Sequence, residues 1–298
     1  MRKSILLTGA TGFLGSHLLK ALVNKGYEVI VLKRSTSDMW RLKGFESSFK
    51  SYDIDLVPLR KVFEDQYIDT IIHTACVYGR KGEDMQQILE TNLMFGIELL
   101  NTGISFNTQT FFNTSSLYAT LSKCLNYYTL SKVQFDEWLK MASDKIQVLN
   151  MKVELMFGEQ DADNKLTSWI LSQFKENKTE VNLTSGVQKR DFIYIDDIVS
   201  AYTTCLDNIS TLKSFNDIDV ATGQLTSIRD FIELIKDSYE KITNKKLSTS
   251  LNFGALPDRE GELMEPKIDV GVLHSLGWQP KKSLEENVWN FVKNEINN

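Results

Sequence analysis

The sequence predicts an α/β fold: a doubly wound parallel sheet with a smaller carboxy-terminal lobe. Three observations predict it. Short apolar runs alternate with amphipathic helices through the first half of the chain. A glycine-rich turn stands directly between the first run and the first helix. After Gly158 the pattern changes to polar, turn-rich segments.

The elements follow in order. Residues 5–7 (ILL) are apolar and followed at once by Thr and Gly, the mark of a buried parallel strand. Phe13, Leu14, Leu18, Leu19, Leu22 and Val23 recur at helical intervals, and Gly26 stands where that helix would end. Residues 27–32 (YEVIVL) form a second strand, completing a βαβ unit. Residues 69–73 read as a strand and 85–100 as a long amphipathic helix. Residues 109–113 read as a strand that stops at Thr114-Ser115-Ser116. A helix over 128–142 and a strand over 148–156 follow. Beyond them come a turn at Ser185-Gly186, a strand-like run over 190–195, an amphipathic helix over 227–241 and the prolines Pro257, Pro266 and Pro280. The expected domains are residues 1–158, with about 190–210 returning to the sheet, and 159–298.

The 298 residues carry a formal net charge of −5, so no basic excess invites nucleic acid or an anionic membrane surface. Cys76, Cys124 and Cys205 are too few and too scattered for a disulfide framework or a zinc site. The three histidines form no ligand pair, so no metal is expected. The apolar start at Ile5 meets Thr8, Gly9, Thr11 and Gly12 too soon for a signal peptide, and no run reaches the roughly 20 apolar residues of a membrane span. A reduced, cytoplasmic protein is the expectation.

Gly9-Ala10-Thr11-Gly12-Phe13-Leu14-Gly15 joins the first strand to the first helix. One glycine permits the tight turn, the next lets backbone approach a pyrophosphate, and the third lets helix pack on strand. The free N–H groups and the positive end of the helix then face the phosphates. Gly9, Thr11, Gly12, Phe13, Leu14 and Gly15 are therefore expected to hold a dinucleotide. The second strand ends in Leu32-Lys33-Arg34-Ser35, with no carboxylate for a ribose 2′-hydroxyl. Lys33 and Arg34 suit a 2′-phosphate, so NADP(H) is preferred. A solvated basic turn, with NAD(H) as cofactor, is the alternative.

Tyr128 and Lys132 stand four residues apart, on one face of a helix. A phenol titrates near 10 and transfers protons poorly at neutral pH, whereas a neighbouring ammonium stabilises the phenolate. The hydroxyls of Thr114, Ser115 and Ser116 lie at the carboxyl end of a strand, where doubly wound sheets build their sites. Any of them could hydrogen-bond a substrate carbonyl, or merely cap a turn.

With these residues in place, the chain resembles the extended short-chain dehydrogenase/reductases that act on nucleotide sugars, over nearly its whole length. The resemblance rests on the glycine loop, Asp53-Ile54, His73-Thr74-Ala75-Cys76, Asn92, Thr114 and the Tyr128/Lys132 pair. It continues in residues 190–197 (RDFIYIDD), Arg259-Glu260-Gly261-Glu262 and Leu276-Gly277-Trp278-Gln279-Pro280. It implies a Rossmann fold with Asp53 and Ile54 on the adenine and Ala75 lining the cofactor cleft. Thr114, Tyr128 and Lys132 would be the catalytic set. Arg190 and Arg259 would face the diphosphate of a CDP- or dTDP-linked sugar, a task that suits paired guanidinium forks. Thr114 is favoured among the hydroxyls because it stands four residues before Tyr118, as in the family; Ser115 and Ser116 stay open.

The family's dehydratases carry Asp-Glu after that threonine. Ser115 and Ser116 stand there instead, which argues against dehydration. The implied reaction is NADPH-dependent reduction of a keto group, at C4, of a nucleotide-linked keto-deoxyhexose, serving a bacterial surface polysaccharide such as the O-antigen of lipopolysaccharide. An NAD-retaining 4-epimerase and a non-catalytic dinucleotide sensor are the alternatives. Two departures bear on the sugar and nucleotide: Leu117-Tyr118-Ala119 replaces the usual Val-Tyr-Gly, and Lys152 stands where the family often has Arg. The family usually forms a homodimer through the Tyr/Lys helix. Val133, Phe135, Trp138 and Leu139 supply either that face or the helix's core face.

Overall fold

In the computed structural model, the first apolar run becomes β1 (Ser4–Thr8), with every residue buried. It lies between β2 (Glu28–Lys33) and β4 (Thr70–His73), parallel to both. With β3 (Lys50–Asp53), β5 (Thr110–Ser116), β6 (Gln147–Val153) and β11 (Phe215–Val220) they make a seven-stranded parallel sheet in the order β11-β6-β5-β4-β1-β2-β3. The strand order reverses between β1 and β4, the kind of point outside which doubly wound sheets bind ligands. The structure describes residues 3–80, 82–120, 126–259 and 261–297; Cys124 and Glu260 lie outside the described residues.

The chain forms two compact units, Met1–Val153 with Val199–Val220, and Glu154–Ile198 with Ala221–Asn298. The first unit holds the large sheet and helices α1 (Phe13–Asn24), α2 (Leu59–Asp65), α3 (Met85–Leu89), α4 (Phe95–Ser105) and α5 (Tyr127–Ala142). Its core joins Leu6, Ile71, Phe111 and Val148 of the sheet to Phe135 and Leu139 of α5. Full burial of each such side chain contributes roughly 1.5–3 kcal/mol. Gly96 makes room for this packing, since a Cβ there would lie 2.7 Å from Phe135 Cζ. The four apolar residues of α5 are therefore divided. Phe135 and Leu139 are core, Val133 is half-buried and Trp138 is exposed.

Three elements differ from expectation. The strand expected to stop at residue 113 continues to Ser116, because Thr114, Ser115 and Ser116 pair with Met151, Lys152 and Val153 of β6. The hydroxyls thus stand on a strand end rather than in a loop. The strand expected over 148–156 is two: β6 stops at Val153, and β7 (Leu155–Phe157) begins after Glu154, in the second unit. The helix expected over 85–100 is α3 and α4 joined by a π-helical turn, Glu90–Met94, and it runs on to Ser105.

In the second unit, β8 (Glu180–Leu183) pairs with β13 (Ser250–Phe253), β9 (Lys189–Arg190) with β12 (Thr226–Ser227), and β10 (Phe192–Tyr194) with β7. The run over 190–195, beyond α6 (Leu166–Lys175), is thus β9 and β10, and its last residue starts α7 (Ile195–Asp207). The amphipathic segment forms α8 (Ile228–Thr243), capped by the Ser227 side chain on Asp230 N–H. Phe231 of α8 stacks on Phe192 and meets Phe157 edge-on, and Phe157 also meets Phe291. Among the described residues no helix is long and apolar enough to cross a membrane.

Candidate active site

The turn between β1 and α1 is a cradle without side chains. Gly9 has φ +69°, and a Cβ there would lie 2.6 Å from Thr74 Oγ1 and 2.7 Å from the Ala75 nitrogen. A Cβ on Gly15 would lie 2.2 Å from the Gly9 carbonyl oxygen. Around Gly12 the one neighbour within 4 Å is that same oxygen, at 3.2 Å. Two glycines are therefore demanded by the protein's own packing, while Gly12 keeps its outer side clear. Gly12 is also the N-cap of α1, with no side-chain cap and no acidic residue in the first turn. An open, uncapped helix N-terminus of this kind fits a pyrophosphate. Thr8 Oγ1 accepts from the backbone of Thr74 and Ala75, which ties the stretch after β4 to this turn.

At the far end of β2, Lys33 and Asp53 are register partners and form an ion pair at 3.5 Å. Asp53 Oδ2 also accepts from Ser35 Oγ at 2.8 Å. The Ser35 bond, with help from the Asp55 N–H and Lys33, holds the Asp53 carboxyl below the usual range. Ile54 donates its N–H to the Lys33 carbonyl and packs on the core. Arg34 is exposed and makes no ion pair among the described residues. A cation that sequence reasoning missed is Arg41, which stacks on Trp40 and donates to the Thr11 carbonyl of the glycine turn at 3.4 Å.

The catalytic candidates converge where β5 ends. Asn126 caps α5 by accepting from Thr129 N–H, which sets Tyr128 and Lys132 in the first turns of the helix. Lys132 is buried and donates from Nζ to the Thr114 carbonyl at 2.7 Å. Its Nζ lies 5.9 Å from the Tyr128 ring centroid. Ser116 hydrogen-bonds the Tyr128 phenol, whereas Thr114 Oγ1 meets Tyr202 OH at 2.8 Å and Ser115 donates to Asp136 at 2.9 Å. The three hydroxyls that the sequence left open therefore have three different partners. Burial, then the Cys76 thiol, pushes the Tyr128 phenol upward, and Arg80 and Ser116 oppose this. The Tyr78 ring covers that of Tyr128, with centroids 4.9 Å apart.

Asn92 sits on the π turn and holds the stretch after β4 in place. Its side chain accepts from Val77 N–H at 2.8 Å, donates back to the Val77 carbonyl at 2.9 Å and donates to Ser131 Oγ at 3.0 Å. A widened turn at a site residue is a recurrent device. His73 is buried, with Nδ1 2.8 Å from Thr8 Oγ1. Burial, then the Lys132 charge, pushes it down to about 3, so it stays neutral.

In the second unit the residues 190–197 act as an anchor. Asp191 is fully buried and accepts from the N–H groups of Thr222, Gly223 and Gln224 and from Thr222 Oγ1. Tyr194 OH donates to Glu159, and Asp197 accepts from Lys281 N–H and the Asn287 side chain. Arg190 is 2% exposed; its guanidinium binds Glu262 and the carbonyls of Lys189 and Leu263. Arg259 is exposed, and its carbonyl accepts from Glu262 N–H.

Comparison with known proteins adds sequence evidence to this geometry. A model of the NAD dependent epimerase/dehydratase family matches residues 5–221. CDP-abequose synthase of Salmonella muenchen is 31% identical over 298 residues, covering 97% of this chain and 96% of that protein. UDP-glucose 4-epimerase of Yersinia enterocolitica is 24% identical and covers 97% of each chain. Among solved structures, UDP-glucuronic acid 4-epimerase of Bacillus cereus in complex with UDP-glucuronic acid and NAD has a TM-score of 0.82 at 23% identity. That match covers 98% of this chain and 99% of the other, and it shows a shared fold.

Proposed function

The chain belongs to the NAD-dependent epimerase/dehydratase family, and we propose that it is an NADPH-dependent reductase of the keto group, at C4, of a nucleotide-linked keto-deoxyhexose. It is an NAD(P)-dependent oxidoreductase of the extended short-chain type, and its substrate is a nucleotide-diphosphate sugar. The likeness to CDP-abequose synthase over almost the whole of both chains carries the finer reading. Ser115 and Ser116 at the end of β5 support it, because neither can act as the acid or base of an elimination. The exposed Arg34 supports a 2′-phosphate on the cofactor.

When bound, NADPH supplies the hydride for the keto carbon. The glycine turn and the start of α1 hold the pyrophosphate, Arg34 the 2′-phosphate, and Asp53 and Ile54 border the adenine. Tyr128 donates the proton to the developing alkoxide. Ser116 or Thr114 hydrogen-bonds the reacting oxygen, and the Lys132 charge favours the phenolate left behind. Arg259 holds the substrate diphosphate. Arg190 joins it only by exchanging Glu262 for a phosphate. The protein works as a cytoplasmic homodimer through the α5 face that carries the exposed Trp138 and Met141. Its product serves a surface polysaccharide such as O-antigen.

A titration of the purified protein with NADPH and NADH, followed by NADPH oxidation with a CDP-linked 4-keto-deoxyhexose, tests the reading. Preference for NADPH, weakened by Arg34→Ala, and turnover of that sugar are the expected results. One observation favours a 4-epimerase instead: Lys33 is already paired with Asp53, which leaves Arg34 to meet a 2′-phosphate without it. NAD that stays bound through purification would put the epimerase first.

A further inference from the structure

Lys132 is 3% exposed and Asp136, one helical turn later, is 6% exposed. Burying an ammonium is costly unless an opposite charge and hydrogen bonds compensate it. The acceptor that Lys132 uses, the Thr114 carbonyl, is neutral. Asp136 is the carboxylate on the neighbouring turn. It is held in place from outside its own helix, accepting from Ser115 Oγ at 2.9 Å and Asn113 Nδ2 at 3.2 Å.

Asn113 belongs to a row. Asn113, Asn150 and Asp217 are register partners on β5, β6 and β11, so their side chains share one face of the sheet. Asn113 donates to Asn150 Oδ1 at 2.8 Å, Asn150 donates to Asp217 Oδ1 at 2.8 Å, and Lys152 closes the row on Asp217 at 2.9 Å. Because Asn113 and Asn150 are neutral, they orient the Asp136 carboxyl without neutralising it.

We infer that Asp136 is a positioning residue: its carboxylate is the counter-charge that keeps the buried Lys132 ammonium on the Thr114 carbonyl, beside Tyr128. The inference rests on the role proposed for Lys132 above. The other ionisable groups around the pair are Tyr128 and Lys140 on α5, His73 on β4, Lys152 on β6 and Asp217 on β11. His73 is neutral, and Asp217 is paired with Lys152. Burial raises the Asp136 carboxyl, while Asn150, Ser115 and Lys132 pull it back.

Asp136→Asn tests this, because it keeps the shape of the side chain and removes its charge: the amide oxygen still accepts from Asn113, and the Ser115 hydroxyl turns to accept from the amide N–H. Lysine-15N-labelled full-length protein, free of any sugar nucleotide, should show one slowly exchanging ammonium signal that disappears in Lys132→Met. In Asp136→Asn that signal should exchange about tenfold faster or vanish, and the NADPH dissociation constant should rise about tenfold, the scale of one charge-assisted contact. An unchanged signal in folded Asp136→Asn would mean that Asp136 is an uncharged structural group, and the inference falls. Should that variant not fold, Ser115→Ala loosens the carboxyl and should quicken exchange severalfold; no change there overturns the inference equally. The ammonium signal needs neither sugar nor dinucleotide, so its result stands apart from the fate of the ketoreductase reading.

Discussion

An alanine at position 15 would place a methyl carbon 2.2 Å from the Gly9 carbonyl oxygen, 2.7 Å from its carbon and 2.9 Å from Ala10 Cα. All three are backbone atoms, so no rotamer relieves the overlap. Gly9 cannot retreat freely either, because it is pressed against Thr74 and Ala75. Overpacking costs roughly 1–3 kcal/mol, and this case sits at the upper end. At roughly 2–4 °C per kcal/mol, Gly15→Ala should lower the melting temperature by about 6–12 °C. Gly12→Ala is the control. Its φ of −79° suits any residue, and its nearest obstacle is a single oxygen at 3.2 Å. The cost to stability should be about 1 kcal/mol or less. The added methyl, however, would fill the space left for a pyrophosphate, and about tenfold or more in NADPH affinity should be lost, roughly 1.4 kcal/mol. Thermal unfolding and NADPH fluorescence titration separate the two effects. A Gly15→Ala protein that melts like the parent would refute the packing argument. A Gly12→Ala protein that binds NADPH like the parent would place the dinucleotide elsewhere.

Tyr128→Phe should reduce turnover by about 10²–10⁴-fold with NADPH affinity little changed; undiminished activity would remove Tyr128 as the proton donor. Asp191→Ala leaves the N–H groups of Thr222, Gly223 and Gln224 without their acceptor. It should cost about 3 kcal/mol or more in urea unfolding, and a loss below about 1 kcal/mol would show that water replaces the carboxylate. For His73, the folded value of about 3 lies below the unfolded value near 6.5. Between these the unfolded chain binds the extra proton. The contribution of His73 is therefore complete above pH 6.5 and lost as pH falls toward 3, at up to about 1.4 kcal/mol per pH unit. His73→Asn should flatten that part of the stability profile, and an identical slope would show that other groups set it.

What the sequence revealed was local. The glycine turn, the βαβ start and the shared helix face of Tyr128 and Lys132 follow from spacings of three or four residues. What it hid depends on strand pairing. Thr114-Ser115-Ser116 has the composition of a turn, yet pairing with β6 makes it strand. Lys33 and Asp53 read as two separate cofactor contacts, because nothing short of the β2–β3 register reveals that they stand opposite each other. Arg41 reaches the glycine turn from thirty residues away, and composition alone cannot place it.

The same logic explains why the site lies where it does. Leu6, Ile71, Phe111, Val148 and Phe215 are successive register partners across β1, β4, β5, β6 and β11, and every one is apolar. Two residues later on each strand, and so on the same face, come Thr8, His73, Asn113, Asn150 and Asp217, all polar. Helix α5 matches both rows. Phe135 meets the Phe111 ring of the apolar row, while Asp136 takes the Asn113 hydrogen bond of the polar one. Each strand alone shows only an apolar run that ends in a polar residue. The register turns five such endings into one polar level, and a slip of a single residue in any strand would turn its member to the other face. Lys132, one turn earlier on α5, is thereby set on the polar side of the boundary, which is where a buried ammonium finds the Thr114 carbonyl instead of hydrocarbon.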